Sequence, residues 1–534
     1  MNSENQETLV QTQKSATKVS VAVFGSRILG LIREILLTAV FGPGLILDAF
    51  YAAFRIPNLL RDLFAEGALS SAFVTTFSKK LKIDGPEAAY KLMNLVMTSL
   101  ALFMIGIVLL GIFFAPGLVF ILNSGFDKEQ MELTTQLTRL LFPFIGLVSL
   151  AALFMGLLNS LGSFGLPASA SMVFNLVSIL CGLVLGYVID PQLGPDAIYG
   201  FAIGTVLGGA AQWLIQVPKA LSFGYRPAWA LNLKDPGLQK VMALMVPAII
   251  GGAAVQVNVM VNGWFASFLV QGAITWLYSA FRLMQLPIGM FGVAFATVAL
   301  PNISRHAAQK DTGAFRHELS HGLSNVFFLT VPAAVGLAVL APSIIELIFE
   351  RGRFNEADTA KTAHALQGYV IGLAAYSGIK LLAPAFYALD KPHVPLRVSC
   401  IGIVLNIIIS SLVVFVLDWS VFGLALSTSM VAILNFMQLL FYMRRELKGM
   451  NGSYLLKNTI LILFITFLMG SSVFCLQWFL QSLEMDWLNH FLGKVVSVGL
   501  LVCLGISVYF VSAVILRMPQ MKFLEKLSGR FLKR

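Results

Sequence analysis

Residues 25–74 read GSRILGLIREILLTAVFGPGLILDAFYAAFRIPNLLRDLFAEGALSSAFV. Two apolar runs, 19–41 and 48–77, are separated by a GPG break and carry Arg27, Arg33, Glu34, Asp48, Arg55, Arg61, Asp62 and Glu66. The rest of the chain says what surrounds them: 57% of the 534 residues are hydrophobic and 12% are charged, and the mean hydropathy is +0.83. No water-soluble core can hide that much apolar surface. At roughly 20 residues per spanning helix the chain has room for about 15 helices. An ionised group at the bilayer centre costs about 2.5–3.5 kcal/mol on insertion scales, so the charged faces of these two runs line protein or water, not lipid.

Apolar stretches bounded by Gly, Pro or charge continue at 92–122, 133–158, 166–189, 197–218, 241–269, 274–303, 322–349, 362–388, 394–417, 420–443, 455–482 and 490–516. The expected fold is therefore an all-α polytopic membrane protein of about fourteen transmembrane helices. With the N-terminus inside, alternate segments collect Lys79, Lys80, Lys82, Lys91, Lys219, Arg226, Lys234 and Lys240, then Arg444, Arg445 and the tail after 516. Outside loops hold only Lys128, Arg351, Arg353 and Lys361, which predicts both termini to be cytoplasmic. The net charge of +11 is accounted for by this bias and calls for no nucleic-acid partner. Residues 1–17 are polar, with no short apolar run and small-residue cleavage site after them, so the first span is expected to persist. The four cysteines lie singly in apolar runs, with neither disulfide nor zinc spacing.

A long repeat organises these spans. Tyr51-Ala-Ala-Phe-Arg55 recurs as Tyr278-Ser-Ala-Phe-Arg282 at an offset of 227 residues, and Ile145-Gly146-Leu147 recurs as Ile371-Gly372-Leu373 at 226. Nearly equal offsets over such a distance argue for duplication. Six spans per copy is an even number, so both copies insert the same way round, a parallel repeat of the kind found in transporters. The expected organisation is a cytoplasmic tail (1–18), an N-lobe (19–225), a C-lobe (226–450), two appended helices (451–516) and a basic tail (517–534).

On a helix advancing 100° per residue, Arg55, Asn58, Asp62 and Glu66 fall within about 80° of one another, and Arg61 lies about 120° from Arg55. Arg27 and Glu34 share a face of the first run, with Arg33 displaced. The acids can thus neutralise one arginine per helix and leave another available, and Pro57 permits a kink that opens a cavity. Arg282, the repeat equivalent of Arg55, has no acid within a turn of it in the sequence. Such arginines suit an anion, because the planar guanidinium fork matches phosphate and carboxylate oxygens. The alternative is a set of inter-helix salt bridges that only hold the bundle together.

His317-Glu318-Leu319-Ser320-His321 spells HExxH, a zinc-protease motif. Glu346 and Glu350, the acids at the far end of that span, stand roughly 40 Å away at 1.5 Å per residue. A solvated interfacial helix is the expected reading, with no metal and no catalytic residues. No Walker A, GxSxG or dinucleotide motif occurs, which disfavours ATP-driven transport by this chain.

The opening stretch closely resembles that of the MurJ (MviN) lipid II flippases, and PNLLRxLFAEGA is its most specific part. FPFIGLVSLAALFMGLLNSLGSFGLPA, YSAFRLMQLPIGMFGVAFATVALP, FERGRF and APAFYALDKPHVP extend the resemblance to about residue 400. It implies the multidrug/oligosaccharidyl-lipid/polysaccharide exporter superfamily: two six-helix lobes around a central cavity, with the last two spans forming a groove for the polyprenyl tail. It implies substrate-binding roles for Arg27, Arg33, Asp48, Arg61 and Arg282, with Asn58 and Glu66 beside them and Arg55, Glu34 and Asp62 secondary. The implied partners are lipid II (an undecaprenyl-diphosphate-linked disaccharide-peptide), membrane lipids and other cell-wall synthesis proteins. No cofactor is implied, and the membrane potential is a sufficient drive for an anionic head group. Some relatives use sodium through an acid in the seventh span; this chain has Gln256, Asn258 and Asn262 there and no acid. The runners-up are a drug or cation antiporter, or another polyprenyl-linked oligosaccharide flippase, of the same superfamily.

Overall fold

The computed structural model describes residues 3–63, 69–482 and 490–521, and among them there is no β-strand. Lipid offers no hydrogen bonds to the backbone, so an apolar chain must satisfy its amides internally, as helices do. The helices form two compact units, Met1–Thr275 and Trp276–Arg534.

The first unit holds α1 (Ser3–Phe41), α2 (Leu45–Arg61), α3 (Ser70–Leu122), α4 (Lys128–Leu141), α5 (Pro143–Ser160), α6 (Gly165–Ile189), α7 (Ala197–Leu214), α8 (Val217–Ser222) and α9 (Pro236–Ala266). The side chains of Asp127 and Asp235 accept the first free amides of α4 and α9, which sets where those helices begin. α3 bends at Gly85, whose φ of 84° is followed by Pro86, which lacks an amide to continue the ladder. The core is built around Phe73, Phe77, Phe154 and Tyr225. α6 and α7 pack backbone to backbone: a Cβ on Gly200 would stand 2.2 Å from Gly186 N, and one on Gly204 2.5 Å from Gly182 N. Lipid tails compete with any apolar side chain for such a surface, so small residues that let dispersion contacts close up are what hold these two helices.

The second unit continues from within α10 (Ala273–Pro287) through a π-helical turn at Ile288–Val293 to α11 (Ala294–Ala308), α12 (Thr312–Phe349), α13 (Glu356–Val370) and α14 (Leu373–Ala388). α15 (His393–Ser411), α16 (Val421–Glu446), α17 (Gly452–Ser482) and α18 (Phe491–Ile515) complete it. The last two dock on α12 through Phe328, Ile462, Ile465, Met469, Tyr509 and Ala513, and Tyr509 Oη donates to Phe328 O at 2.6 Å.

Within the described residues, each of the fourteen apolar stretches coincides with helical segments. Among the described residues, nine helices are long and apolar enough to cross a membrane, or up to eleven if two bent pairs each count as one span. The expected count of fourteen is not reached by that measure. The stretches that fall short are the first, second and seventh, and the first two are those loaded with charge. The repeat put the lobe boundary near residue 225, whereas compactness keeps α9, which packs on α3, in the first unit.

Candidate functional site

On α1 the charged residues diverge. Arg27 is exposed and Arg33 half-buried. The Arg33 guanidinium lies 5.0 Å from the centroid of Phe174 on α6 and 5.9 Å from that of Phe54 on α2. Two ring faces stabilise a delocalised cation where water is scarce. Glu34 is buried and accepts a 2.7 Å hydrogen bond from Tyr51 Oη of α2. This acid therefore ties the first two helices together.

Asp48 is 2% exposed, and its carboxylate is fully engaged. Oδ2 accepts from Gly272 N at 2.7 Å; Oδ1 accepts from Thr275 N at 2.8 Å and Thr275 Oγ1 at 2.6 Å. These are the amides at the start of α10, where orphan donors and the helix dipole favour a negative charge. Asp48 and Thr275 are equivalent positions of the 227-residue repeat, so the duplication brings its own copies into contact here. Neighbouring bonds join the same loops: Trp264 Nε1 donates to Ser124 Oγ at 2.7 Å, Gly125 N to Ser267 Oγ at 3.2 Å, and Gln271 Nε2 to Asp127 Oδ2 at 3.1 Å.

Farther along α2, Arg55 lines a cavity of about 130 Å³ together with Ile56, Leu59, Leu118, Asn123 and Met260. Its guanidinium lies against Gly263 of α9, where any side chain would displace it. Pro57 does not line the cavity, and α2 runs through that proline to Arg61. The pairing of the acids differs from the helical-wheel reading, which set Asp62 on the face of Arg55. Asp62 Oδ1 instead accepts from Arg61 Nε at 3.1 Å and Nη2 at 2.8 Å, and Oδ2 accepts from Gln256 Nε2 at 3.4 Å. The cause is local: Asp62 keeps α-helical dihedrals (φ −63°, ψ −37°), and the long Arg61 side chain folds onto its sequence neighbour, a contact that the 100° spacing of Cβ directions does not exclude. Asn58 is half-buried one turn earlier. Glu66 lies outside the described residues.

In the second unit Arg282 is half-buried on α10, next to Phe281, whose ring packs edge-on against Tyr369. Lys494 pairs with Glu346 at 2.6 Å. In the HExxH segment the rings of His317 and His321 lie 4.2 Å apart, Glu318 accepts from Asn302 Nδ2 at 3.3 Å, and Tyr454 Oη bonds His321 Nδ1 at 3.0 Å. Among the described residues no group of three His, Cys, Asp or Glu is placed to hold a metal.

The structure thus gathers Arg33, Glu34, Asp48, Arg55, Arg61 and Asp62 in the first unit, each with a defined neighbourhood. Sequence reasoning did not foresee Tyr51, Phe54, Phe174 or Thr275 as their partners. Of these only Thr275 had a signal, its position 227 residues after Asp48. Guanidinium groups held by stacking and hydrogen bonds inside an apolar bundle are equipped to bind an anion in bidentate fashion.

A helical chain of this apolarity, with cations grouped on its opening pair of helices, is a polytopic membrane transport protein. The fold is shared with a solved structure of an inward-facing multidrug resistance MATE family transporter of the MOP superfamily, with a TM-score of 0.67 at 13% identity, covering 79% of this chain and 94% of that one. It matches "Lipid II flippase MurJ, inward closed conformation" with a TM-score of 0.75 at 27% identity, covering 93% of this chain and 98% of that one. The family model for lipid II flippase MurJ matches residues 37–513. Relatives include the probable lipid II flippase MurJ of Vibrio cholerae, 35% identical over 433 residues (79% of this chain, 81% of the relative), and the lipid II flippase MurJ of Burkholderia cenocepacia, 36% identical over 427 residues (79% and 81%). The chain belongs to the lipid II flippase MurJ family.

Proposed function

We propose that this protein moves lipid II from the inner to the outer leaflet of the bacterial cytoplasmic membrane by alternating access, as a transporter and not an enzyme. The diphosphate, sugars and peptide carboxylates of lipid II form a large anionic head group that cannot cross hydrocarbon unaided. The observation that carries this reading is the pair of arginines on α1 and α2, Arg33 and Arg61, held in an apolar helical unit by the rings of Phe174 and Phe54 and by Asp62. Arg27, Arg33, Arg61 and Arg282 bind the head group; Asn58 and Glu66 border it, and Arg55, Glu34 and Asp62 support them. Asp48 acts by holding the start of α10. The polyprenyl tail stays in lipid along α17 and α18, and both termini are cytoplasmic. Binding favours a change of access only through contacts stronger in one state than in the other, which fixed guanidinium forks supply. An inside-negative potential drives an anion outward without ATP or sodium. Other cell-wall synthesis proteins supply and consume the substrate.

The test is complementation of a flippase-depleted bacterium with Arg61→Ala, Arg282→Ala and Arg282→Lys, with membrane insertion verified for each. Both alanine variants are expected to fail, and Arg282→Lys to rescue partly, because lysine keeps the charge and loses the fork. Full rescue by both alanine variants removes Arg61 and Arg282 from the site.

A further inference from the structure

The segment between α8 and α9 is not a slack connector. Tyr90 Oη of α3 donates to Phe223 O at 2.6 Å, and buried Tyr225 donates to Asn94 Oδ1 at 2.7 Å. Asn94 Nδ2 donates to Arg226 O at 3.1 Å, Ala228 N to Asn94 Oδ1 at 3.2 Å, and Ala230 N to Thr98 Oγ1 at 3.2 Å. The backbone is thus stitched along about two turns of α3, yet Trp229, Leu231 and Leu233 are 79%, 58% and 59% exposed. Alternate apolar residues held outward at entropic cost need a partner.

The position of the strap along α3 identifies that partner. Beyond the Gly85 bend, large exposed hydrophobics on α3 begin at Leu102 and end at Ile121. Nineteen residue steps at 1.5 Å make a band of about 29 Å, close to the roughly 30 Å hydrocarbon thickness. Thr98 stands four residues before Leu102, about 6 Å outside that edge, which is the headgroup layer where tryptophan settles. The flanking charges are cationic: Lys219, Arg226, Lys234 and Lys240 are all exposed. The acid of the segment, Asp235, is occupied by Gly237 N and Leu238 N. We infer that residues 223–234 form a membrane strap that seats Trp229, Leu231 and Leu233 among the headgroups and holds an anionic phospholipid with Arg226 and Lys234.

The test reconstitutes the full chain in phosphatidylcholine vesicles containing an equal fraction of brominated phosphatidylglycerol or brominated phosphatidylcholine. The Trp229 fluorescence is taken as the difference between the wild type and Trp229→Phe. Brominated phosphatidylglycerol is expected to quench it several-fold more effectively. The double variant Arg226→Gln/Lys234→Gln should abolish that preference, since each interfacial cation contributes about fivefold. Leu231→Trp in the Trp229→Phe background should show the same preference, independently of any local effect of losing Trp229. Equal quenching by both lipids overturns the anionic site. Absence of quenching by either places the strap in water or beneath a protein partner and overturns the inference altogether.

Discussion

Asp48 shows what one residue decides. A buried carboxylate with three donors is stable where it stands only because those donors are themselves the unpaired start of a helix. Asp48→Ala leaves the Gly272 and Thr275 amides without this acceptor, at a cost of about 3 kcal/mol, whereas Thr275→Val removes one hydroxyl bond and costs about 1 kcal/mol. Both should lower the thermal unfolding midpoint of the detergent-solubilised protein, in that order. An unchanged midpoint for Asp48→Ala would show that the carboxylate does not hold α10. That Asp48 faces protein was legible from its charge alone, and its partner was encoded in the repeat. The Arg61–Asp62 pair was not legible, because a helical wheel places Cβ directions and leaves out the reach of a long side chain.

At the scale of elements, α6 and α7 depend on residues they lack. Gly204→Ala would place a methyl 2.5 Å from Gly182 N, and backbone cannot yield as a flexible side chain does. A loss of about 1–3 kcal/mol is expected, read as a lower midpoint and a smaller folded fraction. Gly106→Ala on α3 is the control. Nothing lies within 4 Å of its added methyl, so the change should be neutral or stabilising by under about 1 kcal/mol. The helices themselves were legible from apolar run length. Which of them touch was not, since glycine spacing marks a packing face without naming the helix it meets.

For the whole molecule, the proposed outward movement of an anion couples to voltage at about 2.3 kcal/mol per charge per 100 mV. Flipping in vesicles should therefore slow when an inside-negative potential is collapsed by an ionophore, with sodium absent throughout. A rate that ignores the potential would remove voltage as the drive, while leaving the arginine site to be judged by complementation.

Composition and periodicity by themselves determined that the chain belongs in a bilayer, that it is helical, that it is duplicated, and which helix faces could not meet lipid. Those follow from transfer free energies, which act on each segment separately. The tertiary structure alone decided the other partners: Glu34 with Tyr51, Arg33 between two rings, Asp62 with Gln256. Such pairings depend on distances between residues far apart in the chain, and the spacing along one helix carries no record of what packs against it.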